Sequence, residues 1–306
     1  MLKGRFAPSP SGRMHLGNIY AALMSWLSVR KKNGAWLLRI EDLDRQRCKG
    51  EYAEQLLDDL RWLGLDWDEG GTAEYFQSER DAVYERLFFQ LEAQGLVYDC
   101  FCSRTDLLAS SAPHASDGRT VYSGHCRYLS AAERERLFRD RLPAKRIRVD
   151  ERDAVFVDGH YGEIRCNLLH DCGDFILRRA DGNFSYQLAV VADDALMGVT
   201  EVVRGRDLLS STHQQLYLYE KLGFTPPDFF HLPLLLSADG HRLSKRDRDT
   251  DMGFLRMHYS PEQIVGHLLY ICGLIDRKES VSLKEAIGLF DWNSLPCKDI
   301  MPDCSL

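Results

Sequence analysis

A chain of 306 residues, 44% hydrophobic and 28% charged, has the size and composition of a globular protein built from about two or three packed units. It contains no apolar run long enough to cross a bilayer, and its net charge of −7 argues against broad non-specific binding to nucleic acid while leaving room for a local basic patch. Nine cysteines, an odd number, suit metal-bound or free thiols in a reducing cytoplasm better than a disulfide framework.

Met1-Leu2-Lys3-Gly4 leads straight into the strand-like run Arg5-Phe6-Ala7, so no signal peptide is expected. Pro8-Ser9-Pro10-Ser11-Gly12-Arg13-Met14-His15-Leu16-Gly17 then turns and opens a helix, with apolar residues recurring at Ile19, Leu23, Trp26, Leu27 and Val29. Gly34 is expected to end that helix as its C-cap. Trp36-Leu37-Leu38-Arg39-Ile40 reads as a buried strand running into the acidic cluster Glu41-Asp42-Leu43-Asp44, and helices are predicted over 52–63 and 81–94. This alternation predicts a parallel, doubly wound α/β sheet.

Residues 96–183 break the pattern with short strands, a cysteine cluster, a polar loop over 110–120, an Arg-rich helix and an Asp181-Gly182 hairpin turn. The α/β pattern resumes over 187–193 and passes through a helix over 211–222 ended by Gly223. It then reaches Arg242-Leu243-Ser244-Lys245-Arg246, after the apolar run 232–236. Two helices close the chain, each opened by a capping box: Ser260-Pro261-Glu262-Gln263 and Ser282-Leu283-Lys284-Glu285. The expected organisation is a Rossmann-type catalytic domain in two halves (1–95 and 184–256), an inserted zinc-bearing α/β subdomain (96–183) and a short helical C-terminal region (257–306).

A strand, a Pro/Gly turn and a His at a helix start can cradle the phosphates of ATP, because backbone N–H groups and the positive helix end face an anion there. The Ser-Lys-Arg loop can close over the same phosphates with mobile positive charge. Together, in this order, they point to a nucleotide-activating enzyme. Attack of an ionised carboxylate on the α-phosphate needs positioning, cations and N–H donors but no general base. That fits the absence of a Ser/His/Asp arrangement, and no Walker loop or Gly-x-Gly-x-x-Gly fingerprint is present. Arg5 and Glu41 fall at the ends of the first two strands and Arg204 lies in Val203-Arg204-Gly205-Arg206-Asp207. Strand carboxyl ends face the ligand crevice in such sheets. An Arg there can fork onto a side-chain carboxylate, and Glu41 can hold an α-ammonium.

Cys100, Cys102 and Cys126, within a loop-rich insert, suggest structural zinc, with His125, His114 or Tyr122 as fourth ligand. The other six cysteines (Cys48, Cys166, Cys172, Cys272, Cys297 and Cys304) read as ordinary thiols. The basic stretch Arg134, Arg136, Arg139, Arg141, Lys145, Arg146 and Arg148 suits either an RNA backbone or a solvated helix face, since Glu133, Glu135, Asp140, Asp150 and Glu151 dilute it.

From Gly4 to Asp247 the chain resembles class I aminoacyl-tRNA synthetases of the glutamyl type. Met14-His15-Leu16-Gly17-Asn18 stands where that family has His-Ile-Gly-His, with Asn18 replacing the second His, and Leu243-Ser244-Lys245-Arg246 stands at the second signature. Tyr186-Gln187-Leu188-Ala189-Val190-Val191-Ala192-Asp193-Asp194 resembles a segment that completes the glutamate site. Only about 60 residues follow the Ser-Lys-Arg loop, fewer than helical anticodon-binding domains need. The resemblance is therefore to the truncated paralogues, the glutamyl-Q tRNA(Asp) synthetases.

That resemblance implies tRNA-independent activation of L-glutamate with ATP and Mg2+. Transfer to the queuosine base in the anticodon of tRNA(Asp) would follow. It assigns glutamate binding to Arg5, Phe6, Ala7, Pro8, Ser9, Glu41, Tyr186 and Arg204. ATP binding falls to His15, Gly17, Asn18, Ser244 and Lys245, with His15 and Lys245 catalytic. It makes Tyr122 the fourth ligand of a structural zinc beside Cys100, Cys102 and Cys126. A monomeric, cytoplasmic protein with no membrane partner is expected. The alternatives are a glutamyl-tRNA synthetase charging the 3′ end of tRNA(Glu), or a non-catalytic synthetase-like binding protein.

Overall fold

The computed structural model describes residues 1–103, 106, 121–237, 240–241, 243 and 251–301. The polar loop 110–120, His114, Ser244, Lys245 and Cys304 lie outside the described residues. The chain begins as β1 (Lys3–Phe6), α1 (Leu16–Lys31), β2 (Ala35–Leu38), α2 (Gly50–Leu63), β3 (Glu69–Gly70) and α3 (Asp81–Ala93). An intervening stretch follows, with β4 (Val97–Cys100), α4 (Ala131–Asp140), β5 (Ala144–Ile147), β6 (Asp153–Asp158), β7 (Gly162–Asn167) and β8 (Ile176–Arg178). The chain then returns through α5 (Tyr186–Leu196), β9 (Glu201–Gly205), α6 (Thr212–Leu222) and β10 (Asp228–Leu232), and continues through α7 (Met252–His258), α8 (Pro261–Ile271) and α9 (Leu283–Leu289).

Five strands form one parallel sheet in the order β10-β9-β1-β2-β3. Successive strand residues face opposite sides, so Val202 joins the apolar cluster under α5 and α6 while Val203 joins the one under α1 and α2. Ile264, Leu268 and Leu269 of α8 pack into that second cluster, so the last helices share a core with the first. From β1 the chain leaves in one direction to β2, whereas β9 takes the other flank. The carboxyl ends of β1 and β9 therefore meet at the switch point where open α/β sheets bind ligands. Strands β4, β5 and β8 form a separate antiparallel sheet, and β6 and β7 a hairpin.

Several local expectations shift. The left-handed residue after α1 is Asn33, at φ 54°, not Gly34. Gly34 N–H reaches Val29 O and Asn33 N–H reaches Arg30 O, a Schellman ending that Asn tolerates. Gly34 is needed for close approach instead: a Cβ there would lie 2.9 Å from Leu2 O. At Asp181-Gly182 the turn forms, but its second arm is only a bridge between Phe184 and Arg178 before Ser185 caps α5. Helix α7, opened by Asp251, went unpredicted. Both C-terminal capping boxes form as expected.

Candidate active site

A cavity of about 420 Å3 opens at the switch point between β1 and β9. Its floor carries Arg5, Glu41, Tyr186 and Arg204, its near wall the 6–9 turn, and its far end His15 and Asn18. The site residues from β1, the end of β2, α5 and β9 therefore surround one space.

Each charged side chain is held by named partners, some of them distant in sequence. Arg5 is 4% exposed, with Nε 3.3 Å from Asp194 Oδ1. Arg39, completely buried, donates to Asp194 at 2.6 Å and to Glu41 at 3.0 Å. Burial would raise the Asp194 carboxyl, but Arg39 and Arg5 hold it below its ordinary value. At Glu41 burial wins and the carboxyl is pushed up, despite Arg39 and Arg5. Burial also raises the Tyr186 phenol, so it enters the cavity protonated. Neighbouring Asp193 collects Gln77 at 2.8 Å, Arg80 at 2.7 Å and Tyr84 at 2.8 Å, tying α5 to α3 and the turn before it.

Arg204 is oriented on three sides. Its Nη1 donates to Gln215 at 2.7 Å, its Nη2 to Thr212 at 2.8 Å and its Nε to His231 Nε2 at 3.0 Å. His231 Nδ1 donates in turn to Asp158 at 2.5 Å. Burial pushes the His231 pKa down to about 4 in spite of Asp158, so the ring is neutral and its Nε2 lone pair is available to Arg204. The guanidinium can thus present a fixed charge to an acidic side chain in the cavity.

His15 is the N-cap of α1. Its Nδ1 accepts from Gly17 N–H at 3.1 Å while Asn18 Oδ1 accepts from His15 N–H at 3.1 Å, a capping box closed by the residue that departs from His-Ile-Gly-His. One N–H expected to face a phosphate is therefore taken by the ring itself. The same bond puts the neutral ring's proton on Nε2, the atom able to donate. A narrow cleft of about 70 Å3 continues from His15 past Gly17 and Asn18 to Leu235 and Leu243. Ser244 and Lys245 lie outside the described residues, but both flanks of their segment sit here. Leu243 N–H donates to Leu235 O at 3.0 Å, Asp251 bridges to His15, and Met252 N–H donates to Met14 O at 2.9 Å.

In the intervening stretch, the sulfurs of Cys100, Cys102 and Cys126 lie within 4.8 Å of one another. Tyr122 Oη is 3.5 Å from Cys100 Sγ and 3.8 Å from Cys102 Sγ, and Cys102 and Cys126 sulfurs are 3.5 Å apart. A tetrahedron with zinc–sulfur bonds of about 2.3 Å has edges of about 3.8 Å, so this donor set has the dimensions for zinc. His125 is exposed and does not join the cluster; His114 is outside the described residues. The basic stretch divides: Arg146 is buried, donates to Asp174 O and stacks 3.9 Å over Tyr122, Lys145 pairs with Asp99, and Arg139 pairs with Glu135. Arg146 is buried, whereas Arg134, Arg136, Arg139 and Arg141 stand exposed.

The family of class I tRNA synthetases (E and Q), catalytic domain, matches residues 1–298. The chain belongs to this family. Among its relatives, the glutamyl-Q tRNA(Asp) synthetase of Symbiobacterium thermophilum is 48% identical over 97% of this chain and 94% of its own length. That of Nitratidesulfovibrio vulgaris is 44% identical over 98% and 95%. A solved glutamate tRNA ligase from Elizabethkingia meningosepticum, in complex with its amino acid, superposes with a TM-score of 0.82 at 29% identity, over 99% of this chain and 67% of that one.

For this class I synthetase, sequence reasoning missed Arg39, Gln215, His231 and Asp158, the residues that hold the cavity's charges in place. A signal existed for Arg39, a charge inside an otherwise apolar strand that has to find buried partners. No helix among the described residues is long and apolar enough to cross a membrane.

Proposed function

We infer that the chain activates L-glutamate with ATP to glutamyl-adenylate without tRNA, and then transfers the glutamyl group to the queuosine base in the anticodon of tRNA(Asp). The observation that carries this reading is the single cavity joining Arg5, Arg204, Glu41 and Tyr186 to His15, in a chain similar over nearly its whole length to synthetases of that name. Arg5 and Arg204 grip the glutamate side-chain carboxylate, Glu41 takes the α-ammonium, and the turn Phe6, Ala7, Pro8 and Ser9 closes over the backbone of the amino acid. The α-carboxylate attacks the α-phosphate of ATP, a P–O bond forms, and pyrophosphate leaves with its electron pair. His15 donates from Nε2 to the phosphates, Gly17 and Asn18 shape the nucleotide cleft, and Ser244 and Lys245 supply donors and charge as negative charge builds. Mg2+ accompanies ATP.

Cys100, Cys102, Tyr122 and Cys126 hold a structural zinc: four protein donors leave no open position for substrate. The domain limits 1–95, 96–183, 184–256 and 257–306, the monomeric state and the cytoplasmic location belong to the same reading. The test is charging with radiolabelled glutamate on tRNA(Asp) with and without queuosine, beside tRNA(Glu). Label on queuosine-bearing tRNA(Asp) alone, released by mild alkali, is the expected result; label on the 3′ end of tRNA(Glu), abolished by periodate, overturns it. Glutamate-dependent pyrophosphate exchange should proceed without tRNA. Lys245→Ala should slow it by on the order of 3 kcal/mol, about a hundredfold or more.

A further inference from the structure

A second cavity, about 500 Å3, adjoins the first and shares Ser9, Ser11, Glu41 and Tyr186 with it. It lies at the opposite end from the nucleotide cleft, between the loop after β2 and the end of β8. Its volume is within the range of small-molecule pockets. Asp44, half-buried, lines it together with Gln77, while Arg47, Arg179 and Asn183 stand exposed at its rim. Phe184 and Ile176 add an apolar wall. Asp44, Arg47, Arg179 and Asn183, which it does not share with the first cavity, take no part in the activation of glutamate derived above.

We propose that this second cavity receives the acceptor nucleotide, with Asp44 binding the cationic amine of its modified base and Arg47 and Arg179 binding the flanking phosphates. The assignment rests on the function inferred above. Queuosine carries a cis-diol on a five-membered ring, joined to a deazaguanine through a secondary amine that is protonated at neutral pH. The cavity's charges are sorted to match: carboxylates (Asp44 and Glu41) line it, and guanidiniums stand at the mouth, where a polyanionic backbone must stay. Glutamyl-adenylate in the first cavity would have its AMP toward His15, so a hydroxyl arriving past Ser9 and Tyr186 reaches the α-carbonyl from the side away from the leaving group. The hydroxyl oxygen bonds to that carbonyl carbon, the carbon–oxygen bond to phosphate breaks, and AMP departs with the electron pair and takes up the hydroxyl proton.

The experiment compares wild type, Asp44→Asn and Arg179→Ala with two acceptors: an anticodon stem-loop of tRNA(Asp) carrying queuosine, and queuosine nucleoside alone. Asn keeps an oxygen for the Arg47 backbone N–H, which Asp44 Oδ1 accepts at 3.3 Å, and Arg179 pairs across its exposed turn with Asp181, at 2.8 Å. The reading is the ratio of transfer rate to glutamate-dependent pyrophosphate exchange. Asp44→Asn should lower that ratio at least tenfold with both acceptors. Arg179→Ala should lower it at least tenfold with the stem-loop and under threefold with the nucleoside. Wild-type transfer matched by both variants overturns the acceptor pocket alone. Wild-type exchange with no transfer to the queuosine stem-loop overturns the inferred function and the pocket with it.

Discussion

Replacing Asp158 by Asn should disable glutamate binding from a position that never touches glutamate. Asp158 is 1% exposed and divides its oxygens: Oδ1 accepts the backbone N–H groups of His160 (3.0 Å), Tyr161 (2.9 Å) and His231 (3.3 Å), while Oδ2 accepts His231 Nδ1 (2.5 Å). An amide has only one oxygen. If it keeps the three backbone donors, its NH2 faces His231 Nδ1 and moves the ring proton to Nε2, against Arg204 Nε–H. If it flips, the NH2 confronts three N–H groups. Either way a donor meets a donor in a dry site, and a hydrogen bond involving a charged group is lost, about 1.5–3 kcal/mol. That corresponds to a roughly ten- to 150-fold loss in kcat/KM for glutamate. The assay is glutamate-dependent pyrophosphate exchange over a glutamate titration, with a thermal melt to show that the variant is folded. A folded Asp158→Asn protein with a glutamate KM within twofold of wild type would refute the claim that this chain of bonds sets Arg204.

Burial pushes the His267 pKa from 6.5 down to about 4, helped by Lys278, so the unfolded chain takes up the proton first as pH falls. Stability should be complete above about pH 6.5 and decline toward pH 4; His267→Phe should remove on the order of 3 kcal/mol of that decline in denaturant titrations, and an unchanged pH slope would contradict it. Gly266→Ala should destabilise although Ala favours helix by about 1 kcal/mol, because its Cβ would lie 1.7 Å from Glu279 O; a Tm at or above wild type would show that α8 can move away. Metal analysis should give about one zinc per chain, and Cys100→Ser should lose it and lower the Tm while the glutamate KM stays near wild type. A folded, zinc-free variant unable to form adenylate would make the metal more than structural.

What the sequence made legible was local. Ser260 and Ser282 announce their helices because a capping box is complete within four residues, and Gly223 ends α6 for an equally local reason. His15 at a helix start could be read because the Pro/Gly turn and the first apolar turn adjoin it. Arg5, Glu41 and Arg204 were found through their places at strand ends. What holds them was not legible: Arg5 meets Asp194 across 189 positions, and His231 meets Asp158 across 73. Pairing at that range is decided by sheet order, and no periodicity encodes it. Asn18 shows the converse limit, since a departure from a motif carries its own local job, capping His15.

The place of β1 in the sheet has a consequence for synthesis. Its partner β2 follows after one helix, but its other neighbour is β9, with Thr200 N–H on Lys3 O at 2.8 Å and Lys3 N–H on Thr200 Oγ1 at 2.9 Å. At ribosomal speeds of about 5–20 residues per second, one edge of β1 waits on the order of ten seconds for that strand. Strands β4 to β8 can close their antiparallel pairs meanwhile, since their partners are nearer in the chain. The nascent protein thus carries an unpaired parallel edge while its ligand crevice is still missing a wall. Folding speed should be governed by the arrival of β9, and damage along that seam should cost yield of soluble enzyme more than it costs the activity of the molecules that do fold.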